Sequence, residues 1–127
     1  MKGISLLLVE DNVLNQKLIF LTLSKYGFRI DVANNGKEAL DKLENKSYDI
    51  ILMDLMMPVM DGLEATRKIR KRDQETGSQN IIIGLTANTY DADRDKCLKE
   101  GMDEYMAKPF DIEVFKDIIA EFDFQIN

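Results

Sequence analysis

The sequence predicts a doubly wound α/β fold, in which helices cover both faces of a parallel sheet. Short apolar runs alternate with longer amphipathic stretches along the whole chain, which is the pattern of repeated βα units. Two of the runs, Ser5–Val9 and Ile81–Thr86, are apolar almost throughout, as expected of strands buried on both faces. At 127 residues the chain has the size of one domain, and we predict a single domain over residues 1–127.

The predicted strands differ in their apolar patterns. The first and third are continuous apolar runs and should be central, whereas the second alternates apolar and polar residues, which favours an edge position. The strand order does not follow from these patterns. The five predicted strands are Ser5–Val9, Phe28–Ala33, Ile50–Met53, Ile81–Thr86 and Glu104–Ala107.

The predicted helices have recognisable ends. Gly27 and Gly101 follow the first and fourth helices, where a left-handed residue commonly ends a helix. Asp61 and Glu64 form a plausible capping box at the start of the third, and residues 73–80 read as a polar loop after it. The five predicted helices are Asn12–Tyr26, Lys37–Asn45, Gly62–Arg72, Tyr90–Glu100 and Asp111–Phe122.

Composition restricts the possible partners. The net charge of −6 disfavours direct binding of nucleic acid, and we interpret the basic stretch from Arg67 to Arg72 as a solvated helix face. A single cysteine, Cys97, excludes an internal disulfide and fits a reducing compartment, so we expect a cytoplasmic location. We see no apolar stretch long enough to cross a membrane and expect no membrane contact by this segment.

The chain contains no histidine. Histidine is the commonest general base and a common transition-metal ligand. Its absence means that this chain cannot carry phosphohistidine, so any phosphohistidine donor must belong to another domain or protein.

Polar residues stand where four of the predicted strands end. Glu10 and Asp11 follow the first strand, Asp54 the third, Thr86 ends the fourth, and Lys108 follows the fifth. Because the carboxyl ends of parallel strands share one edge, these groups should converge. Three close carboxylates repel one another unless a cation neutralises them, and hard oxygen ligands favour Mg²⁺. Asp54 could then be a nucleophile that forms an acyl phosphate, with Lys108 and the metal balancing the phosphoryl charge.

Each of these residues also has an ordinary interpretation. Glu10 or Asp11 could cap the first helix, and Asp54 could be a turn former before Pro58. Thr86 could be a plain strand residue and Lys108 a solvated loop lysine. The functional interpretation is favoured because the candidates end four different strands.

The chain resembles, from end to end, the receiver domain of two-component response regulators. The matching stretches are Leu8-Val9-Glu10-Asp11-Asn12, Asp54 to Gly62, Leu85-Thr86-Ala87 and Lys108-Pro109-Phe110. The resemblance implies a flavodoxin-like (βα)5 fold with strand order 2-1-3-4-5. It also implies a phosphoacceptor signalling domain that assists only its own phosphorylation and dephosphorylation and is not an enzyme on external substrates.

The resemblance assigns roles by position. Asp54 would be the phosphoacceptor, and Mg²⁺ would be held by the side chains of Glu10, Asp11 and Asp54 and by the backbone carbonyl of Met56. Lys108 would contact the phosphoryl group, and its bond to Pro109 is expected to be cis.

The resemblance also implies a switch. Thr86 would move to bond a phosphoryl oxygen, and Tyr105 would then turn inward. The alternative for Tyr105 is that it merely packs on the sheet edge.

A softer resemblance, to the receivers of hybrid histidine kinases, rests on residues 9–16, 85–88 and 101–109. It implies a histidine kinase or a histidine phosphotransfer domain as partner. The first helix adds a physical argument, since Leu14, Leu18 and Leu21 form an apolar stripe separate from the one through Ile19 and Leu23. One stripe should pack on the sheet and the other could dock a helical partner, unless both are covered internally.

Two rival functions are weaker. A phosphohydrolase with an aspartyl nucleophile would want a second carboxylate two residues after Asp54, where this chain has Met56. A flavin module would want a phosphate-binding loop after the first strand, where Glu10 and Asp11 would repel phosphate. We find no output domain, so we expect either a stand-alone relay protein or the receiver segment of a larger, membrane-anchored kinase.

Overall fold

The residues that the structure describes form one sheet of five parallel strands in the order β2-β1-β3-β4-β5. The computed structural model describes residues 3–87 and 91–124, with the backbone alone for residues 91–94. As predicted, β1 and β3 are interior and β2 is an edge strand. The strands are β1 Ser5–Val9, β2 Arg29–Ala33, β3 Ile50–Asp54, β4 Ile82–Thr86 and β5 Glu104–Ala107.

The five helices in the described part of the chain lie on both faces of this sheet, which confirms the doubly wound fold. Alternate residues of a strand point to opposite faces, so Leu6 and Leu8 of β1 pack on one side with α1 and α5, and Leu7 and Val9 pack on the other with α2, α3 and α4. The helices are α1 Val13–Ser24, α2 Gly36–Asn45, α3 Gly62–Thr76, α4 Asp91–Lys99 and α5 Ile112–Ala120. The predicted start of α4 at Tyr90 lies outside the described residues.

The third helix is longer than the sequence predicted. We expected a loop from Asp73, but α3 continues to Thr76 and ends at Gly77, whose φ of 77° is left-handed. Asp73 is compatible with the helix because its carboxylate is buried and paired: it accepts from Arg70 Nη1 at 2.9 Å and from Asn80 Nδ2 at 2.6 Å. The polar composition of residues 73–80, on which the predicted loop rested, could not reveal these partners.

The basic stretch on α3 is largely neutralised within the fold. Arg67 pairs with Glu100 at 3.0 Å and Lys68 with Glu64 at 3.6 Å. Arg70 pairs with Asp73 and Asp103, and Arg72 pairs with Glu44 at 3.1 Å. Partners of this kind leave little uncompensated positive charge to attract a polyanion.

None of the described helices combines the length and the apolarity needed to span a bilayer.

Candidate functional site

The carboxyl edge of the sheet brings the predicted site residues together. Asp54 ends β3 and pairs with Leu85 of β4. Thr86 follows Leu85 at the end of β4 and pairs with Ala107 of β5. Glu10 and Asp54 are each 1% exposed and Thr86 is 4% exposed. The site is therefore formed by strand ends packed in register, and its acidic groups sit in a partly dehydrated recess.

Three carboxylates form a cluster in this recess. One oxygen each from Glu10, Asp11 and Asp54 lies within 4.8 Å of the other two. Glu10 and Asp54 are buried, whereas Asp11 is exposed at the mouth of the recess. Oxygen ligands with an open side toward solvent suit a hard divalent cation that retains water molecules.

Glu10 shows the electrostatic cost of this arrangement. Its Oε2 accepts from the Asn12 backbone N–H at 3.2 Å, but its buried Oε1 accepts no hydrogen bond from any described residue. Burial and, after it, the neighbouring Asp54 carboxylate together raise the pKa of the Glu10 carboxyl to about 7. A bound cation would supply the missing partner, so the residues present fit a Mg²⁺ ion.

Lys108 supplies the positive charge of the site. Its Nζ lies 2.8 Å from Asp54 Oδ1 and 4.0 Å from Glu10 Oε1. Its backbone N–H donates to the Thr86 carbonyl oxygen at 2.7 Å, which extends the β4–β5 pairing by one residue. The Lys108–Pro109 bond is cis, as the resemblance implied.

The loop after Asp54 has a constrained backbone. The Met56 N–H donates to Asp54 Oδ1 at 3.2 Å, while the Met56 side chain is 76% exposed. Val59 has a φ of 67°, which is costly for a β-branched residue and is typical of functional loops. A Cβ atom on Gly62 would overlap the Asp54 carbonyl oxygen, so only glycine allows α3 to start this close to β3.

The two proposed switch residues lie on neighbouring strands. Thr86 ends β4 in the recess, and Tyr105 of β5 pairs with Gly84. Tyr105 is partly buried against the apolar cluster on the α2–α4 side of the sheet. The switch roles of Thr86 and Tyr105 remain predictions.

The first helix carries both predicted apolar stripes. Ile19 and Leu23 are buried against the sheet, but Leu14, Leu18 and Leu21 are 65%, 56% and 61% exposed. The alternative that both stripes are covered internally is wrong for this chain. Leu18 also borders a cavity of about 390 Å³ that Glu10 and Lys108 line as well, so the exposed stripe adjoins these two site residues at Leu18.

The residue that caps the first helix is neither of the two acidic residues that the sequence offered as caps. Asn12, rather than Glu10 or Asp11, caps α1, and its side chain accepts from the Asn15 N–H at 3.0 Å. Because Asn12 takes the capping role, the two acidic side chains remain available to the recess.

Sequence reasoning missed one residue of this region. Gln16 was part of the stretch that resembles hybrid-kinase receivers, but it received no role. Its amide contacts the Glu10 backbone. Its position in the sequence could have indicated this contact, because Gln16 is four residues after Asn12 and so lies one helical turn beyond the start of α1.

Comparison with known proteins agrees with this arrangement. Residues 6–120 match the response regulator receiver domain. Hybrid signal transduction histidine kinases K and I of Dictyostelium discoideum are 39% and 44% identical, over 91% and 89% of this chain. The chain spans only 10% and 7% of the length of those two relatives.

Two solved structures are similar over nearly the whole chain. The receiver domain of the Pseudomonas aeruginosa sensor histidine kinase PA1611, with a magnesium ion coordinated in its active site cleft, has a TM-score of 0.83 and 44% identity, covering 94% of this chain and 96% of that one. The receiver domain of Saccharomyces cerevisiae Ssk1, in complex with the histidine phosphotransfer protein Ypd1, has a TM-score of 0.87 and 34% identity, covering 94% and 88%.

The fold and the recess define a flavodoxin-like α/β domain with an acidic pocket at the carboxyl edge of its sheet. The match over residues 6–120 shows that the chain belongs to the response regulator receiver domain family, and the two relatives from Dictyostelium discoideum are hybrid histidine kinases.

Proposed function

We propose that this chain is the phosphoacceptor domain of a two-component phosphorelay, with Asp54 as the residue that is phosphorylated. The observation that carries the proposal is the buried Asp54 carboxylate, which lies 2.8 Å from the Lys108 amine and within the Glu10–Asp11 acidic cluster. A carboxylate paired with a lysine amine next to an open acidic recess is prepared to receive an electrophile that brings its own negative charge.

The reaction transfers a phosphoryl group from a partner histidine to Asp54. An Asp54 carboxylate oxygen forms the new bond to phosphorus while the bond between phosphorus and the imidazole nitrogen breaks, and the nitrogen keeps the electron pair and takes a proton from solvent. The Lys108 amine leaves the free carboxylate and pairs with the phosphoryl oxygens. The side chains of Glu10, Asp11 and Asp54, with the Met56 backbone carbonyl, would hold Mg²⁺, which would neutralise the charge of the transferred group.

The phosphorylated state would be read through Thr86 and Tyr105. We infer that the Thr86 hydroxyl bonds a phosphoryl oxygen and that Tyr105 then turns inward from its half-buried position. The position of Thr86 at the end of β4, next to the strand that ends at Asp54, supports this inference. Added charge would thereby alter the surface around α4, β5 and α5.

The donor would be a histidine kinase or a histidine phosphotransfer domain that docks a helix on α1. The exposed Leu14, Leu18 and Leu21 support this, because an apolar stripe that adjoins the acidic recess at Leu18 can seat a helix and direct its histidine at Asp54. We further propose that the chain acts as a single domain in the cytoplasm, without nucleic acid as a direct partner and without turnover of external phosphate esters. The uncharged Met56 side chain two residues after Asp54 supports the last point.

Intact-mass measurement after incubation with Mg²⁺ and a small phosphodonor tests the assignment. Wild type should gain one phosphoryl group, and Asp54→Asn should gain none. Asp61→Asn is the matched control, since Asp61 caps α3 through the Glu64 N–H at 2.9 Å and asparagine caps equally well. The assignment is wrong if wild type remains unmodified or if Asp54→Asn is modified as fully as wild type.

A further inference from the structure

The side chain of Gln16 connects two strand ends of the sheet. Its Nε2 donates one hydrogen bond to the Glu10 carbonyl oxygen and a second, at 2.7 Å, to Asn34 Oδ1. Glu10 follows β1 and Asn34 follows β2, which are paired neighbours in the sheet. Both amide hydrogens of Gln16 are therefore used to join the turn before α1 to the turn before α2.

The direction of this hydrogen-bond chain is fixed by Glu38. Glu38 Oε1 accepts from Asn34 Nδ2 at 3.0 Å and from the Asn34 backbone N–H at 3.1 Å. An ionised carboxylate only accepts, so Asn34 must turn its amide nitrogen toward Glu38 and its oxygen toward Gln16. Glu38 stands in the first turn of α2, where the helix dipole stabilises its charge. Gln16 is thus held with its donors toward Glu10.

The other end of the chain holds the backbone of a candidate metal-binding residue. The Glu10 N–H donates to the Ala33 carbonyl oxygen at 3.0 Å, and the Glu10 carbonyl oxygen accepts from Gln16. The Glu10 N–H is therefore bonded to β2 directly, and the Glu10 carbonyl oxygen is connected through Gln16 to Asn34 in the turn that follows β2. The Glu10 side chain extends the other way, into the cluster with Asp54.

We propose that Gln16 is a positioning residue for the cation site: it fixes the Glu10 backbone so that the Glu10 and Asp11 carboxylates stay within coordination distance of Asp54. This inference rests on the proposed function, because it presupposes a divalent cation in the cluster. Mg²⁺ tolerates little departure from octahedral geometry, so a small shift of the turn that carries two ligands lowers its affinity. Loss of such an outer partner typically weakens metal binding by about 10- to 100-fold.

Gln16→Met tests the role, since methionine keeps the length of the side chain and removes both donors. Mg²⁺ affinity is measured directly by titration followed through backbone amide NMR shifts, and separately as the Mg²⁺ concentration that half-saturates phosphorylation by a small phosphodonor. We expect Mg²⁺ binding to weaken by about tenfold, with the phosphorylation rate at saturating Mg²⁺ retained. A purely structural defect would lower the rate at saturation too.

Thr22→Val is the matched control, because it removes another side-chain hydrogen bond of α1, from Thr22 Oγ1 to the Leu18 carbonyl oxygen at 2.8 Å. It should bind Mg²⁺ as wild type does. Asn34→Ala cuts the outer link and should weaken Mg²⁺ binding by less than Gln16→Met, and it carries the test if Gln16→Met does not fold. Wild-type Mg²⁺ affinity in the folded variant overturns the positioning role. A wild type that binds no Mg²⁺ overturns the proposed function instead.

Discussion

The Lys108 amine and the Asp54 carboxylate form a direct ion pair, 2.8 Å from Nζ to Oδ1, at the carboxyl edge of the sheet. The same amine lies 4.0 Å from the buried Glu10 Oε1. The Lys108 amine is therefore placed to pair with the carboxylate of the free Asp54 and then with the oxygens of an incoming phosphoryl group. Its placement depends on β5, since the backbone N–H of Lys108 is bonded to Thr86 on the adjacent strand.

Removal of the Lys108 amine should slow phosphorylation more than it harms the fold. For Lys108→Met we expect the rate of modification by a small phosphodonor at saturating Mg²⁺ to fall by about 100-fold, the usual cost of losing one preorganised charge in a site. Time-resolved intact mass measures the rate. Lys116→Met is the control, because the Lys116 side chain is equally exposed, at 28%, but pairs with Glu113 on α5. Equal rates in the two variants would contradict the role of Lys108.

The exposed stripe of α1 should matter for a protein donor and not for a small one. Leu21→Asp places a charge on the surface proposed to seat a partner helix. We expect phosphotransfer from a phosphorylated histidine phosphotransfer domain that phosphorylates the wild type to slow by about 10-fold or more, because an apolar contact is replaced by a buried charge. Phosphorylation by a small donor should be unchanged. Leu98→Asp, at an exposed leucine of α4, is the control, and an equal loss there would count against docking on α1.

Gly62 should be required for the approach of α3 to β3. In Gly62→Ala the new Cβ would meet the Asp54 carbonyl oxygen, so the free energy of unfolding should fall by about 2 kcal/mol and phosphorylation should slow as Asp54 shifts. Gly77→Ala separates the two effects, since Gly77 has open space around it but a positive φ. That variant should lose about 1 kcal/mol and keep its phosphorylation rate. Urea unfolding and intact mass provide the two readouts.

The Tyr48–Asp31 pair should give the stability a dependence on acid pH. The pKa of Asp31 is lowered by hydrogen bonds from the Tyr48 hydroxyl, at 2.6 Å, and from Lys46. A depressed carboxyl pKa stabilises the fold above the unfolded-state value of 3.8, and this stabilisation is lost as pH falls through the lower folded-state value. We expect Tyr48→Phe to cost about 1 kcal/mol near pH 7 and less below pH 3, measured by urea unfolding. Tyr26→Phe, which leaves Asp31 untouched, is the control, and a pH-independent loss in Tyr48→Phe would contradict the linkage.

The site residues at the strand ends were predictable because each polar candidate directly follows or ends an apolar run in the sequence. Asp54 ends an apolar run, and the rule that parallel strands end at one edge was enough to bring it together with Glu10 and Lys108. Asp73 was predicted wrongly because its helical state depends on Arg70 and on Asn80, which lies seven residues further on. The hydrogen bond of Gln16 to Asn34 joins residues 18 positions apart on different elements, a contact that no periodicity encodes. Leu14, Leu18 and Leu21 were recognised as a second stripe, but only the packed fold showed them to be exposed.

Fragmentation mass spectrometry of the phosphorylated chain tests the central claim most directly. The chain is incubated with a small phosphodonor in Mg²⁺ or in excess chelator, and the modified peptide is sequenced at a pH that preserves acyl phosphates. We predict one phosphoryl group on Asp54 in Mg²⁺ and little or none in chelator. A phosphoryl group on Asp11 or on any residue outside the recess, or equal modification of Asp54 without a divalent cation, would contradict the account.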